Sequence, residues 1–145
     1  MSSTCAGLWT ADGKVEILPW GASGLKAVPS VVSFLPTNKV AIGAEALASE
    51  NAASTVYDAK RIIGRKFSDP KVAEECKKWP YRVVDDGNDR PQIVLDVGGA
   101  ESRYSPEQIS AKLLEEVKKL AEARCGRAVR NAIVTVPAGF NEAQK

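Results

Sequence analysis

The 145-residue sequence contains no histidine. Without an imidazole no Ser-His or Cys-His nucleophile can be assembled, and a zinc site would depend on cysteines and carboxylates. Hydrolases of that kind are excluded. Cysteine is scarce: Cys5, Cys76 and Cys125 are far apart and odd in number, and Cys-x-x-Cys occurs nowhere. Neither a disulfide framework nor a thiolate metal site is suggested, and a reducing compartment fits best. An excess of one charge is missing too. Twenty Lys and Arg against eighteen Asp and Glu leave +2, too little for the footprint of a nucleic-acid binder. No apolar run approaches the ~18–20 residues of a membrane span, and the first nine residues have neither the basic start nor the apolar stretch of a secretory signal. Nucleic acid and membrane are therefore not expected as partners, and a cytoplasmic or nuclear location is.

What is present resembles an average soluble protein, with 44% hydrophobic and 26% charged residues. The length gives room for one domain, or for two small subdomains. Cys5 to Trp9, the Asp12-Gly13 turn signal and Lys14 to Leu18 predict a hairpin. Pro19 to Pro29 reads as loop, Val31 to Leu35 as a strand, and Val40 to Ile42 as a short one. Thr55 to Ile63 carries Val56, Ala59, Ile62 and Ile63 at helical spacing before Gly64, a suitable C-cap, which predicts a short helix. Ser68-Asp69-Pro70 supplies capping candidates for another over Pro70 to Lys78.

Tyr81 to Val84, Gln92 to Val97 and Glu101 to Tyr104, separated by Asp85 to Asp89 and Gly98-Gly99, predict an antiparallel meander. The clearest helix spans Pro106 to Arg124. Ser105 and Gln108 form a capping box, Pro106 stands at N1, Gly126 stops it, and Ile109, Leu113, Val117 and Leu120 make one buried stripe. Asn131 to Val136 is an apolar strand candidate bounded by Pro137, and Asn141 reads as a helix N-cap.

Motifs for chemistry are sparse. Gly7-x5-Gly13-Lys14 has one spacer residue too many for a Walker loop, and Gly21-Ala-Ser-Gly24-Leu-Lys26 is too short; both read as turns. Lys60, Arg61, Arg65 and Lys66 put four cations in seven residues, which could bind a polyphosphate or form a solvated face. Asp85, Asp86 and Asp89 lack calcium-loop spacing and sit where turns favour Asp. Trp9, Trp20 and Trp79 are too dispersed to stack bases and suit core or interface anchoring. Cys5 and Cys125 read as small buried apolar residues.

Thr55-Val-Tyr-Asp-Ala-Lys-Arg-Ile-Ile-Gly-Arg-Lys-Phe-Ser-Asp-Pro70 closely resembles a signature stretch of the 70-kilodalton heat-shock chaperones, in their N-terminal ATPase domain. Lys14 to Leu18, Val28 to Phe34, Lys78 to Tyr81, Tyr104 to Ser110 and Asn131 to Pro137 follow in that family's order, so the resemblance covers about Thr4 to Lys145. It implies an α/β, actin-like ATPase fold: a ribonuclease H-like sheet, approximately residues 1–28 and 128–145, with a small α/β subdomain, approximately 29–127, inserted. It also implies ATP or ADP with Mg2+ as ligands, and unfolded client proteins and cochaperones as partners.

Site residues follow from the same resemblance. Lys60 matches the catalytic lysine, which reaches the γ-phosphate region, positions the attacking water and stabilises developing charge. Pro137 matches a proline that relays nucleotide state, and Lys145 falls where an arginine is usual, so the charge is kept and the bidentate fork is lost. Ser2 and Ser3 align with the end of the first phosphate loop. Gly139 stands where the family has a tyrosine, and residues 19–28 replace a polar loop.

The chain resembles most of lobe I, without the family's first strand, second phosphate loop or lobe II, so it is expected to be deficient in ATP turnover by itself. The absent strand would sit between Cys5–Trp9 and Asn131–Val136. Each unpaired N–H or C=O it leaves buried costs about 1–3 kcal/mol, against a total stability of only about 5–15 kcal/mol. The expectation is a destabilised or partly open chain, or one completed by strand pairing with another chain. A cooperative, high-melting monomer would contradict it. The alternative reading is a non-enzymatic module that binds or modulates full-length chaperones.

Overall fold

The computed structural model describes residues 1–145. Short antiparallel strands, each set by local alternation, are tied together by one long helix. β1 (Ser3–Thr4) pairs with β4 (Val28–Pro29), so the segment expected to be loop ends in a strand. β2 (Gly7–Trp9) and β3 (Val15–Ile17) form the expected hairpin, with Trp9 opposite Val15 and Gly7 opposite Ile17. Gly13, at φ +77°, supplies the left-handed residue that the turn requires.

β5 (Val31–Phe34) is central to a three-stranded antiparallel sheet with β6 (Val40–Ile42) and β7 (Thr55–Tyr57) as its edges. All four β5 residues are buried because both faces are covered. Val32 and Phe34 enter the main core, and Val31 packs against Ala41 and against Ala46 of α1 (Ala44–Ala48), a helix that the sequence reading missed. Ser33 tolerates full burial because its hydroxyl accepts from Thr55 Oγ1 at 2.9 Å and donates to Ser49 Oγ at 3.2 Å.

α2 (Pro70–Cys76) is capped as predicted: Asp69 accepts from the Lys71 N–H at 2.9 Å and Pro70 opens the helix. The meander forms β8 (Arg82–Asp85), β9 (Pro91–Val97) and β10 (Ala100–Tyr104), with β9 central. Asp85 and Asp86 accept from Gly87 and Asn88 N–H groups, so they serve the turn.

α3 (Pro106–Cys125) carries the predicted capping box and ends at Gly126 in the left-handed region. Its stripe divides between two cores. Ile109 and Leu113 pack with Val32, Phe34, Val56, Ile62, Val72, Tyr81, Ile93 and Leu95; Val117 and Leu120 pack with Ala6, Leu18 and Ala121.

Three expectations are corrected. Thr55–Ile63 is not a helix. Thr55–Tyr57 is the edge strand β7, because β5 offers a free ladder, and a single 3₁₀ turn follows over Ala59–Arg61. Asn131–Val136 is not a strand: it is exposed and has no pairing partner, and Ile133 is 98% accessible. Cys5 lies between β1 and β2 and is exposed, whereas Cys125 ends α3 half-buried. Of the tryptophans, Trp20 and Trp79 are buried, but Trp9 is 68% exposed.

Candidate functional site around Lys60

Lys60 is carried on the 3₁₀ turn, and alternation of burial fixes which way the turn faces. Ala59 and Ile62 plug into the main core, while Lys60 is exposed and Arg61 partly so. The turn closes through the Arg61 N–H to the Asp58 carbonyl at 2.9 Å and the Ile62 N–H to the Ala59 carbonyl at 3.1 Å. Asp58, between β7 and the turn, sits at φ +57°, a conformation that Asp tolerates better than most residues. That reversal ends the strand and starts the turn that buries Ala59 and leaves Lys60 exposed.

The four cations separate into two kinds. Arg61 lies between carboxylates, Nε 3.4 Å from Asp58 Oδ2 and Nη1 3.6 Å from Glu75 Oε1 on α2. Arg65 Nη1 donates to Asp69 Oδ2 at 3.0 Å and its Nε to the Arg61 carbonyl at 3.2 Å. Lys60 and Lys66 form no ion pair and no side-chain hydrogen bond, so Lys60 is an unneutralised cation on a turn anchored by its neighbours. Sequence spacing revealed the cluster, but it could not say which members were paired, because Glu75 comes from another helix.

The surrounding titratable groups are tuned for structure. The Lys71 N–H, then the Arg65 guanidinium, hold the Asp69 carboxyl below its usual range. The Ser68 N–H and hydroxyl do the same for Asp89. Burial pushes the Cys76 thiol up, away from thiolate reactivity. Asp58 Oδ1 and Glu75 Oε2 are buried acceptors without a protein donor.

The other predicted site residues lie as follows. Ser2 contributes its carbonyl to the Ser30 N–H at 2.8 Å, while its hydroxyl is buried and unpartnered. Ser3, in β1, is exposed opposite Pro29. The Met1 amine lies 3.8 Å from Asp58 Oδ2, which brings the residues next to Ser2 to the base of the Lys60 turn. Pro137 is exposed and accepts from the Phe140 N–H at 3.0 Å. Lys145 is exposed and pairs with Glu142 at 2.8 Å. It belongs to a turn in which Asn141 and Gln144 cap each other. That turn packs on Gly64, four residues after Lys60: a Cβ placed there would lie 2.2 Å from the Ala143 carbonyl oxygen. No sequence signal connects those segments.

Two surface depressions lie elsewhere. One of about 330 Å³ is bordered by Tyr81, Arg82, Leu95, Asp96 and Glu101, and one of about 180 Å³ by Met1, Leu47, Thr55, Tyr57 and Pro80. Lys60 lines neither. No helix is long and apolar enough to cross a membrane.

A family model described as "Hsp70 protein" matches residues 2–145. The chain is 41% identical over 144 residues to heat shock cognate 70 kDa protein 3 of Dictyostelium discoideum, covering 98% of this chain and 22% of that one. It is 42% identical over 143 residues to a heat shock 70 kDa protein of Neurospora crassa, with the same coverage. Against a ribosome-associated molecular chaperone of Eremothecium gossypii it is 38% identical over 146 residues, covering all of this chain and 24% of that one. The chain thus spans about a fifth to a quarter of the length of the curated relatives it matches.

Proposed function

The chain belongs to the Hsp70 family, whose N-terminal region has the actin-like ATPase fold, and from that premise we propose that it forms part of lobe I of an ATP-dependent protein-folding chaperone. Residues 1–28 and 128–145 belong to the base of that lobe, and residues 29–127 to its inserted subdomain. The location is cytoplasmic or nuclear, and the partners are unfolded clients and cochaperones. The observation that carries the reading is Lys60: an exposed cation without an internal counter-charge, on a turn fixed by Ala59, Ile62 and the Arg61 pairings.

An anionic ligand fits what the turn presents, since the adjacent guanidiniums are already engaged and Lys60 Nζ is not. Bound ATP with Mg2+ supplies the scissile phosphoryl group and its counter-ion. Lys60 orients the terminal phosphate and stabilises charge that develops there. Pro137 and Lys145 relay nucleotide state. Ser2 and Ser3 stand at the end of a phosphate loop, and the enclosure of the Ser2 hydroxyl, with its carbonyl bonded to Ser30, leaves its main-chain N–H as the usable part. No group of three or more His, Cys, Asp or Glu side chains converges in these residues, so Mg2+ would enter with the nucleotide's phosphates.

Titration calorimetry of the 145-residue chain with ATP and Mg2+ tests this. The expected result is weak binding, weakened further by Lys60→Ala, and no turnover. Micromolar affinity would overturn the need for a second lobe. Affinity indifferent to Lys60→Ala would overturn the role given to the lysine.

A second reading, a module that pairs with full-length chaperones or their cochaperones, is favoured by one observation: the exposed, unpaired and apolar Ile133, Val134 and Val136. Strand pairing with another chain is its mechanism. A pull-down that recovers no chaperone machinery would count against it.

A further inference from the structure

Asp89, between β8 and β9, differs from Asp85 and Asp86 because its acceptors serve a segment far away in sequence. Its carbonyl accepts from the Phe67 N–H at 2.9 Å, its Oδ1 from the Ser68 N–H at 2.7 Å and its Oδ2 from the Ser68 hydroxyl at 2.8 Å. Three bonds thus clamp the 66–69 loop to the β8–β9 turn. The Ser68 N–H and then its hydroxyl hold the Asp89 carboxyl below its usual range, so the clamp is anionic at neutral pH.

The Lys66 carbonyl accepts from the Asp69 N–H at 3.0 Å, which makes Phe67 and Ser68 the central residues of a turn. Phe67 packs against the main core, and Ser68 is exposed. Arg65 stands three residues before the Ser68 hydroxyl and Lys66 two before it; no other Ser or Thr in the chain has a cation at both positions. A basophilic serine kinase reads that spacing, because its own carboxylates receive the cations that precede the acceptor. Lys66 is exposed and forms no ion pair. Arg65 is held by Asp69 in a partly exposed pair, which a kinase's carboxylates can exchange.

We propose that Ser68 is a phosphorylation site for a basophilic serine kinase, and that the phosphate opens the Asp89 clamp. In the transfer, Ser68 Oγ bonds to the γ-phosphorus of the kinase's ATP and the bond from that phosphorus to the β–γ bridging oxygen breaks. ADP leaves, and the hydroxyl proton passes to the kinase's catalytic carboxylate. Ser68 Oγ then has no proton to donate to Asp89 Oδ2, and about 1.5 to 2 negative charges stand beside an ionised carboxylate. Both effects open the clamp. The inference concerns a modification of the chain, and its failure would leave the assignment of Lys60 standing.

The site is tested by incubating the 145-residue chain with ATP and a purified calmodulin-dependent serine kinase, which selects arginine three residues before its acceptor. Peptide mass spectrometry is expected to find one phosphate at Ser68 and none there in Ser68→Ala. A chain left unmodified at Ser68 would overturn the site. Amide exchange by NMR then reads the clamp through the Phe67 and Ser68 N–H groups. Both are expected to quicken about tenfold or more on phosphorylation, the equivalent of one bond to a charged acceptor. Asp89→Asn keeps an acceptor oxygen and a residue that tolerates positive φ, but has no charge to repel the phosphate. Phosphorylation should quicken its amides by a smaller factor. Unchanged amides in the phosphorylated parent, or an equal factor in Asp89→Asn, would overturn the opening of the clamp. If circular dichroism shows Asp89→Asn unfolded, the parent decides alone.

Discussion

Arg124 and Glu16, 108 residues apart in sequence, meet through a hydrogen bond from Nε to Oε1 at 2.9 Å and an ion-pair contact between Nη2 and Oε2 at 2.8 Å. The contact ties the end of α3 to the β2–β3 hairpin. The last residue of the predicted helix is thus an arginine that serves a surface contact instead of the core. The hydrogen bond that Arg124 donates to Glu16, and the charge of that carboxylate, raise the Arg124 pKa, and the pair is solvent-exposed. Arg124→Ala should leave the melting temperature nearly unchanged and quicken amide exchange over Gly7–Ile17. The difference should fade in molar salt, where exposed pairs are screened. Exchange that is unaltered at low salt would mean that the hairpin is held by Ala6, Leu8 and Leu18 alone.

Ser105→Ala should lower stability by about 0.5–2 kcal/mol in urea unfolding, because it removes the acceptor for the Gln108 N–H at 3.2 Å and half of the capping box. Ser105→Asp should restore most of the loss. A Ser105→Ala protein as stable as the parent would show that α3 is fixed by its packing alone.

Tyr81 donates its hydroxyl to the Tyr57 carbonyl at 2.5 Å, stacks on Trp79 and meets Tyr57 edge-on. Tyr81→Phe should cost about 1–3 kcal/mol, the range for a buried acceptor left without its donor. Burial, then nearby Tyr57 and Asp58, push the Tyr81 pKa well above its ordinary 10.0. The folded state therefore holds this proton more tightly than the unfolded one. Its contribution is complete below pH 10 and is lost as pH rises beyond that value. The alkaline loss of stability should be shallower in Tyr81→Phe than in the parent; equal slopes would contradict the assignment.

Two isoleucines give the sharpest contrast. Ile62 is fully buried beneath the Lys60 turn, whereas Ile133 is 98% exposed. Ile62→Ala should cost about 2–5 kcal/mol, and Ile133→Ala should stay within about 0.5 kcal/mol. A large loss from Ile133→Ala would mean that residues 131–136 are paired as a strand in solution.

The elements that were legible in the sequence are those whose signals are local. The α3 boundaries rest on Ser105, Pro106, Gln108 and Gly126, all within one turn of the ends they define. The meander rests on alternation and on the Asp85–Asp89 and Gly98-Gly99 turns. α1 was missed because a five-residue helix leaves almost no periodicity to detect. At the candidate site, the Lys60 stretch was visible as a motif and as a charge cluster. Its geometry was not visible, because Glu75 and the 141–144 turn reach it across the fold.

Thus the sequence alone determined the long helix, its caps, the hairpins and the family to which the chain belongs, since each is written in neighbouring residues or in an ordered motif. Tertiary structure decided the fate of the two ambiguous apolar segments. Thr55–Tyr57 became strand because β5 offered an open ladder at that edge. Asn131–Val136, with the stronger strand composition, remained unpaired. A strand is completed by its neighbour, and no single segment encodes the neighbour's position.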